Sequence, residues 1–147
     1  MTLKIEKLRT EVFRLKKFVS LSLIAILVLA LVVGCTSDEA KFEDGTYTAE
    51  SQPDERGWKG VIEIVVEGGE IVSVDYDELD EEGNRKSEDD EYAEAMKGAS
   101  GVSPAEAYEQ LETALVNRQD PDEIDLVTGA TSSSEQFKSL AKEALNK

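Results

Sequence analysis

Histidine is absent from the 147 residues of this chain, and cysteine occurs once, at Cys35. Without histidine there is no Ser-His-Asp triad, no histidine general base, no histidine-ligated haem and no ordinary zinc site. With a single cysteine there is no internal disulfide, so the fold must be held by its core alone. Redox work by such a chain therefore requires an imported organic cofactor.

Basic residues are scarce beyond the N-terminal segment. Residues 35–147 hold 30 acidic and 10 basic side chains, a formal net charge of −20. Such a surface repels nucleic acid and anionic lipid, so we expect no nucleic-acid partner. The acidity favours solubility, and it would steer a basic redox partner. The carboxylates between Asp75 and Glu82 lack the EF-hand spacing, so we predict no metal site and interpret residues 77–90 as a solvated loop.

The first 34 residues have the form of a secretory signal. A basic segment precedes the almost wholly apolar run of residues 18–33, which ends in Gly34-Cys35. This ending resembles the lipobox of bacterial lipoproteins, in which the cysteine is lipidated and becomes the first residue. The alternative is an uncleaved anchor, because residues 18–37 approach the about 20 residues that span a bilayer. Both interpretations put the remainder on the extracytoplasmic face of a cell membrane.

The middle of the chain predicts an antiparallel sheet. Residues 44–50 have the pattern of a turn leading into a first strand. Two β-rich runs follow, residues 58–66 and 71–76, and Gly68-Gly69 between them supplies the positive φ angles of a two-residue hairpin turn. A plain turn of that length places the apolar sets of the two strands on opposite faces. A bulge near the turn would bring them together.

Helical patterns fill most of the C-terminal half. Residues 88–97 predict a short helix, and Ser103-Pro104-Ala105-Glu106 begins the next with a capping box and an N-terminal proline. A third apolar stripe runs over residues 137–145. Residues 124–127 predict a short buried strand. The fold class expected is α+β, a small antiparallel β-sheet with a central hairpin packed against two or three helices.

Residues 125–134 combine hydroxyl groups, backbone freedom and the start of a helix. Gly129 permits a close backbone approach, Ala130 adds no bulk, and Thr131 stands at the predicted helix N-terminus, where free N–H groups favour a phosphate. Ser132 and Ser133 are each followed three residues later by Glu or Gln, so either fits the N-cap of a capping box. The ordinary alternative is a serine-rich loop that caps the helix and binds nothing.

The series Asp125, Thr128, Gly129, Ala130, Thr131 resembles the pattern of the FMN-binding domain family: Asp, two variable residues, Ser or Thr, Gly, Ala, Thr. This family occurs in subunits of sodium-pumping NADH:quinone reductase and the Rnf complex, and in small surface lipoproteins. The resemblance implies FMN attached covalently through its phosphate to Thr131 by a separate flavin transferase.

Asp-Gly-Thr-Tyr at residues 44–47 is a second point of resemblance to small members of the family. The domain organisation expected is a signal peptide with a lipobox over residues 1–34, a tether over 35–43 and an FMN-binding domain over 44–147. The chain is shorter than the subunits of the large complexes and carries a lipobox, so it resembles the lipoprotein type.

The resemblance implies an electron carrier rather than an enzyme with its own substrate. Its partners would be the flavin transferase, the membrane through lipid on Cys35, and redox proteins or a quinol-linked membrane oxidoreductase. Asp125 and Thr128 would serve recognition by the transferase and hold the turn, and Tyr92 and Met96 would contact the flavin ring. The alternatives are a lipoprotein that binds FMN or another phosphorylated ligand reversibly, and a surface structural domain without cofactor.

Overall fold

A three-stranded antiparallel sheet with the order β1-β2-β3 is the framework of residues 41–146, the part of the chain that our computed structural model describes. Helices follow the sheet in the sequence. The strands are β1 (Gly45–Glu50), β2 (Lys59–Glu67) and β3 (Glu70–Leu79); the α-helices are α1 (Asp90–Ser100), α2 (Pro104–Arg118) and α3 (Thr131–Leu145); 3-10 turns occupy Lys86–Glu88 and Pro121–Glu123. The predicted α+β class with a central hairpin is confirmed.

The β2–β3 hairpin turns at two glycines and contains the expected bulge. Gly68 and Gly69 have φ angles of 63° and 82°. The register shifts between Val65 and Val66, which skips Val72 on β3. Because of this shift, Ile62, Ile64 and Val66 of β2 lie on the same face as Ile71, Val74 and Tyr76 of β3, and Val72 is left exposed. The proposed bulge is therefore confirmed, and it is what allows a single core.

That face packs against α2 and α3. The core is formed by buried side chains from the strands and the two helices: Ile62, Ile64, Val66, Ile71 and Tyr76 from the sheet, Ala107, Tyr108, Leu111 and Leu115 from α2, and Phe137, Leu140, Ala141 and Ala144 from α3. The Tyr76 ring meets Tyr108 and Phe137 edge-on, at centroid distances of 4.9 and 5.2 Å. Tyr76 thus joins the sheet to both helices.

The outer edge of β3 is occupied by side chains of the α2 region. Gln119 accepts a hydrogen bond from the Ile71 N–H at 2.7 Å and donates one to the Ile71 carbonyl at 2.9 Å. The Glu112 carboxylate accepts from the Tyr76 N–H at 2.8 Å. Burial raises the pKa of Glu112. These contacts satisfy backbone groups that an edge strand would otherwise expose.

The solvated loop predicted for residues 77–90 is wrong over much of its length. β3 continues to Leu79, and the side chains of Asp77, Glu78 and Lys86 are buried. Arg85 Nε donates to Asp77 at 2.8 Å, and Lys86 pairs with Glu78. Buried charges are tolerated here because each has a partner of opposite sign.

The short strand predicted for residues 124–127 is also wrong. The segment follows the turn Pro121–Glu123 and has no strand partner within residues 41–146. Its backbone is held by side chains of α3 instead: the Val127 N–H donates to Ser134 Oγ, and Lys138 Nζ donates to the Ile124 carbonyl. Ile124 is buried, as expected, but Leu126 is 46% exposed.

The predicted signal peptide, the lipidation site Cys35 and most of the tether lie outside the described residues. Within those described positions, no helix combines the length and the apolar character needed to cross a bilayer.

Candidate functional site

Helix α3 begins at Thr131, two to three residues earlier than a cap at Ser132 or Ser133 would give. Its N-cap is Ala130, and within residues 41–146 no side chain caps it, so the capping box expected at Ser132 or Ser133 is wrong. The first turn of α3 also lacks an acidic residue, unlike the first turns of α1 and α2. Among the described residues, the positive end of this helix consequently has no side-chain cap and no acidic side chain in its first turn.

Ser134 holds the turn in front of the helix. Its buried hydroxyl donates to the Ala130 carbonyl at 2.8 Å and accepts from the Val127 N–H at 3.0 Å. Gly129 has a φ angle of 87° and packs against Ser100 at the end of α1. The turn is therefore fixed on both sides, and Thr131 leaves it with an exposed side chain.

An open cleft of about 350 Å³ lies beside Thr131. Its lining comes from the turn, the start of α3, one side of α1, one residue of α2 and two cationic side chains. These residues are Gly129 and Ala130 of the turn, residues 131–133 of α3, Tyr92, Met96, Ala99 and Ser100 of α1, Tyr108 of α2, and Arg56 and Lys86. This volume is within the range of small-molecule sites.

The charged side chains that line the cleft differ in sign from most of the domain. Although acidic side chains outnumber basic ones three to one in residues 35–147, none of the described residues that line the cleft is a carboxylate. Its charged groups are Arg56, which pairs with Asp54 at 3.2 Å, and Lys86, which pairs with Glu78. Together with the uncapped end of α3, they make the cleft suited to an anion.

Lys86 is the buried cation of this cleft, with 3% of its surface exposed. Its ammonium pairs with Glu78 and lies 4.7 Å from the ring centroids of both Trp58 and Tyr92. Those two rings meet edge-on at 5.9 Å. The lysine is thus fixed by a carboxylate and two aromatic faces.

A polar network continues from Glu78 beneath the cleft. The Tyr76 hydroxyl donates to Gln136 Oε1 at 2.8 Å and lies 3.4 Å from Glu78 Oε1, while Gln136 Nε2 donates to Ser51 Oγ at 3.1 Å. Burial, followed by the nearby Glu78 charge, raises the pKa of Tyr76 and of Tyr108. Both phenols therefore stay neutral at ordinary pH.

The structure brings seven of the nine predicted cofactor residues to this cleft: Gly129, Ala130, Thr131, Ser132, Ser133, Tyr92 and Met96. It does not bring Asp125 and Thr128 there. These two line a separate groove between the turn and α2, together with the exposed Leu126. The motif thus has two sides, with Thr131 on one and Asp125 on the other.

Sequence reasoning missed Arg56, Lys86 and Tyr108. Lys86 had a signal, because Arg85-Lys86 is a basic pair inside a strongly acidic segment. Arg56 comes from the loop before β2 and Tyr108 from an ordinary core stripe of α2. Neither carries a local pattern that connects it with Thr131.

The residues of the cleft fit FMN by their chemistry. The exposed Thr131 hydroxyl and the uncapped N–H groups of α3 suit a phosphate, as does Arg56. Tyr92 and Met96 offer an aromatic ring and a thioether to a flat heteroaromatic ring. The surrounding positive charge matches the negative charge of the phosphate.

Comparisons with known proteins agree with this chemistry. A family model described as FMN-binding domain matches residues 57–146. The 15 kDa lipoprotein of Treponema pallidum is 40% identical over 120 residues, which span 81% of this chain and 84% of that protein. A Clostridium perfringens protein of known crystal structure is 45% identical, with a TM-score of 0.69 over 71% of this chain and 87% of that one. The predicted family is confirmed, and the chain belongs to the FMN-binding domain family.

Proposed function

We propose that this protein is an extracytoplasmic lipoprotein that carries FMN covalently on Thr131 and transfers electrons. The observation that carries the proposal is the position of the Thr131 hydroxyl. It is exposed at an uncapped helix N-terminus, on a cleft that contains cations but, in its described lining, no carboxylate. A phosphoester at this hydroxyl would be stabilised by the helix end and by Arg56.

Attachment is carried out on the protein by a flavin transferase. The bond formed joins Thr131 Oγ to the phosphorus of the FMN half of FAD, and the bond broken is the pyrophosphate bond, so AMP leaves and the hydroxyl proton is released. The flavin then supplies reversible electron uptake. Of the residues of this chain, Thr131 would hold the phosphate, and Tyr92 and Met96 would offer contacts to the ring.

The membrane anchor rests on two supports. The Treponema pallidum relative is named a lipoprotein, and Cys35 stands at the end of a sequence that resembles a lipobox. Lipid on Cys35 would hold the domain at the extracytoplasmic face. There it would exchange electrons with a quinol-linked membrane oxidoreductase or with redox partner proteins, which the acidic surface would favour when they are basic.

The test is the intact mass of the full chain under denaturing conditions, after co-expression with a flavin transferase and FAD. We expect a gain of one FMN less one water, located on the peptide that contains Thr131. Thr131→Ala should remove the gain and leave a folded, colourless protein, whereas Ser132→Ala should retain it. An unmodified mass, with a known substrate domain labelled in parallel, would exclude covalent attachment.

Reversible binding of FMN is the second candidate, and the same cleft supports it. Denaturation separates the two, because a non-covalent flavin is lost with the fold. Retention of yellow colour in the native protein, without a mass gain after denaturation, would assign the reversible mode.

A further inference from the structure

Lys86 belongs both to a buried ion pair of the fold and to the lining of the cleft. Only 3% of the Lys86 surface is exposed, yet this residue forms part of the cleft lining. Among residues 41–146, its ammonium has one hydrogen-bonding partner, Glu78, and the two aromatic rings cover other sides. An ammonium has three N–H donors. Glu78 accounts for one of these donors, and Lys86 belongs to the lining of the cleft.

Stability alone does not account for this ion pair. Removing two charges from water costs free energy, and a hydrophobic pair of similar volume is often as stabilising. The neighbouring Trp58 and Tyr92 would suit such a pair. A fixed charge at the wall of the cleft has a different consequence, because it changes the relative energy of ligand states that differ in charge.

We propose that Lys86 raises the reduction potential of the flavin in this cleft, and that Glu78 opposes it as the counter-charge. The inference rests on the proposed function, which puts a flavin phosphate at Thr131. A flavin whose phosphate is held at Thr131 would find Lys86, Tyr92 and Met96 in the remaining lining of the same cleft.

The sign follows from charge balance. Two-electron reduction adds two electrons from the donor and one proton from water at N5, and it leaves one negative charge on the N1 and C2-carbonyl edge of the flavin. In the proposed chain the donor is of the quinol class; in the test it is dithionite. A nearby ammonium stabilises the reduced anion more than the neutral oxidised ring, and a nearby carboxylate does the reverse.

Two substitutions therefore have opposite expected effects. Lys86→Met keeps the length of the side chain and removes its charge, so it should lower the potential. Glu78→Gln keeps a hydrogen-bond acceptor for Lys86 and removes the negative charge, so it should raise the potential. A merely structural pair predicts loss of stability in both variants without this reversal of sign.

The experiment uses the full chain, first checked for flavin by intact mass and then titrated with dithionite in the presence of redox mediators. We expect Lys86→Met to shift the equilibrium at least tenfold toward the oxidised form, about 30 mV for a two-electron couple. Glu78→Gln should shift it the other way. The control Lys97→Met removes an exposed cation that pairs with Glu106 outside the cleft, and it should change the equilibrium less than twofold.

Shifts of the same sign in Lys86→Met and Glu78→Gln, or shifts of less than twofold in both, would overturn the inference. Thermal unfolding of each apo-protein separates loss of fold from a change in potential, and Lys86→Arg should restore the wild-type value by retaining charge. If Lys86→Met does not fold, Glu78→Gln is the remaining test. A rise in the reduction potential of the flavin in that variant supports the inference, and no rise overturns it.

Failure of the proposed function has a different signature, since the wild type would then carry no covalent flavin. In that case free FMN is added to the apo-protein and the same variants are compared. Absence of FMN binding in that titration would overturn the inference as well.

Discussion

A side chain at position 129 would meet the backbone oxygen of Ser100 at 2.6 Å from its Cβ, closer than real Cβ atoms approach another atom. The glycine of the motif thus serves the contact between the turn and the end of α1. That contact sets one wall of the cleft, because Ser100 and Gly129 both belong to its lining. The position of Thr131 depends on it.

Gly129→Ala should destabilise the domain and reduce flavin loading. The positive φ angle of 87° costs about 1–2 kcal/mol for a residue with a Cβ. The contact with Ser100 adds overpacking, typically about 1–3 kcal/mol. Gly101→Ala is the matched control, because Gly101 has a φ angle of 85° and a Cβ added there would meet no atom within 4 Å. Urea unfolding of both variants measures the difference; equal losses would disprove a specific role for the Ser100 contact.

Ser134→Ala should destabilise the turn from the other side. The substitution leaves the part-buried Val127 N–H without its acceptor, which costs about 1 kcal/mol. Ser139→Ala, at an exposed position of the same helix, should stay within about 0.5 kcal/mol of wild type. Chemical denaturation followed by circular dichroism gives both values. A loss no greater than that of the control would mean that the hydroxyl does not hold the turn.

Asp125→Ala tests whether the outer side of the motif serves the transferase. Asp125 is exposed and lines the groove away from Thr131, so folding stability should change by less than about 0.5 kcal/mol. The rate of flavin attachment should fall at least about tenfold, because the variant loses the free energy of about one hydrogen bond to a charged group. Glu123→Gln alters another exposed carboxylate of the same groove and should have little effect on the rate. Equal slowing in both variants would indicate a general charge effect.

Acid should weaken the start of α2 through Glu106. Lys97 and the Ser103 N–H hydrogen-bond its carboxylate and lower its pKa from 4.5 to about 2. A carboxyl group whose pKa is lowered by folding stabilises the native state above the unfolded pKa, and this stabilisation is lost as the pH falls from about 4.5 toward 2. Glu106→Gln should therefore remove part of the pH dependence of unfolding in that window. The exposed Glu109→Gln is the control, and an equal change in both variants would contradict the assignment.

The elements that were predicted correctly depend on local chemistry. Gly68-Gly69 specifies the hairpin by its positive φ angles, and Ser103 with Glu106 forms the capping box that the spacing predicts. The position of Thr131 at the start of a helix likewise follows from a contiguous motif, while its role as flavin attachment site stays a prediction. In each case the determining contacts lie within a few residues of sequence.

The predictions that are wrong concern segments whose burial or backbone hydrogen bonds depend on residues outside the segment's own local pattern. Asp77 and Glu78 are buried because Arg85 and Lys86, eight residues later, neutralise them. Residues 124–127 have a composition typical of a strand. Their backbone is instead hydrogen-bonded by Ser134 and Lys138 of α3. The cleft likewise draws Arg56 from a loop far from Thr131 in the sequence, which no local pattern indicates.

The pairing of Gln119 with Ile71 and of Glu112 with Tyr76 has a consequence if the protein is held on a membrane, as proposed above. Lipid anchoring confines neighbouring copies to two dimensions, where collisions between sheet edges are frequent. The α2 region occupies the hydrogen-bonding groups through which β3 would accept a strand from another copy. The opposite edge, β1, is six residues long and largely exposed. Contacts between copies through the β3 edge are therefore blocked, and β1 is the sheet edge that stays accessible.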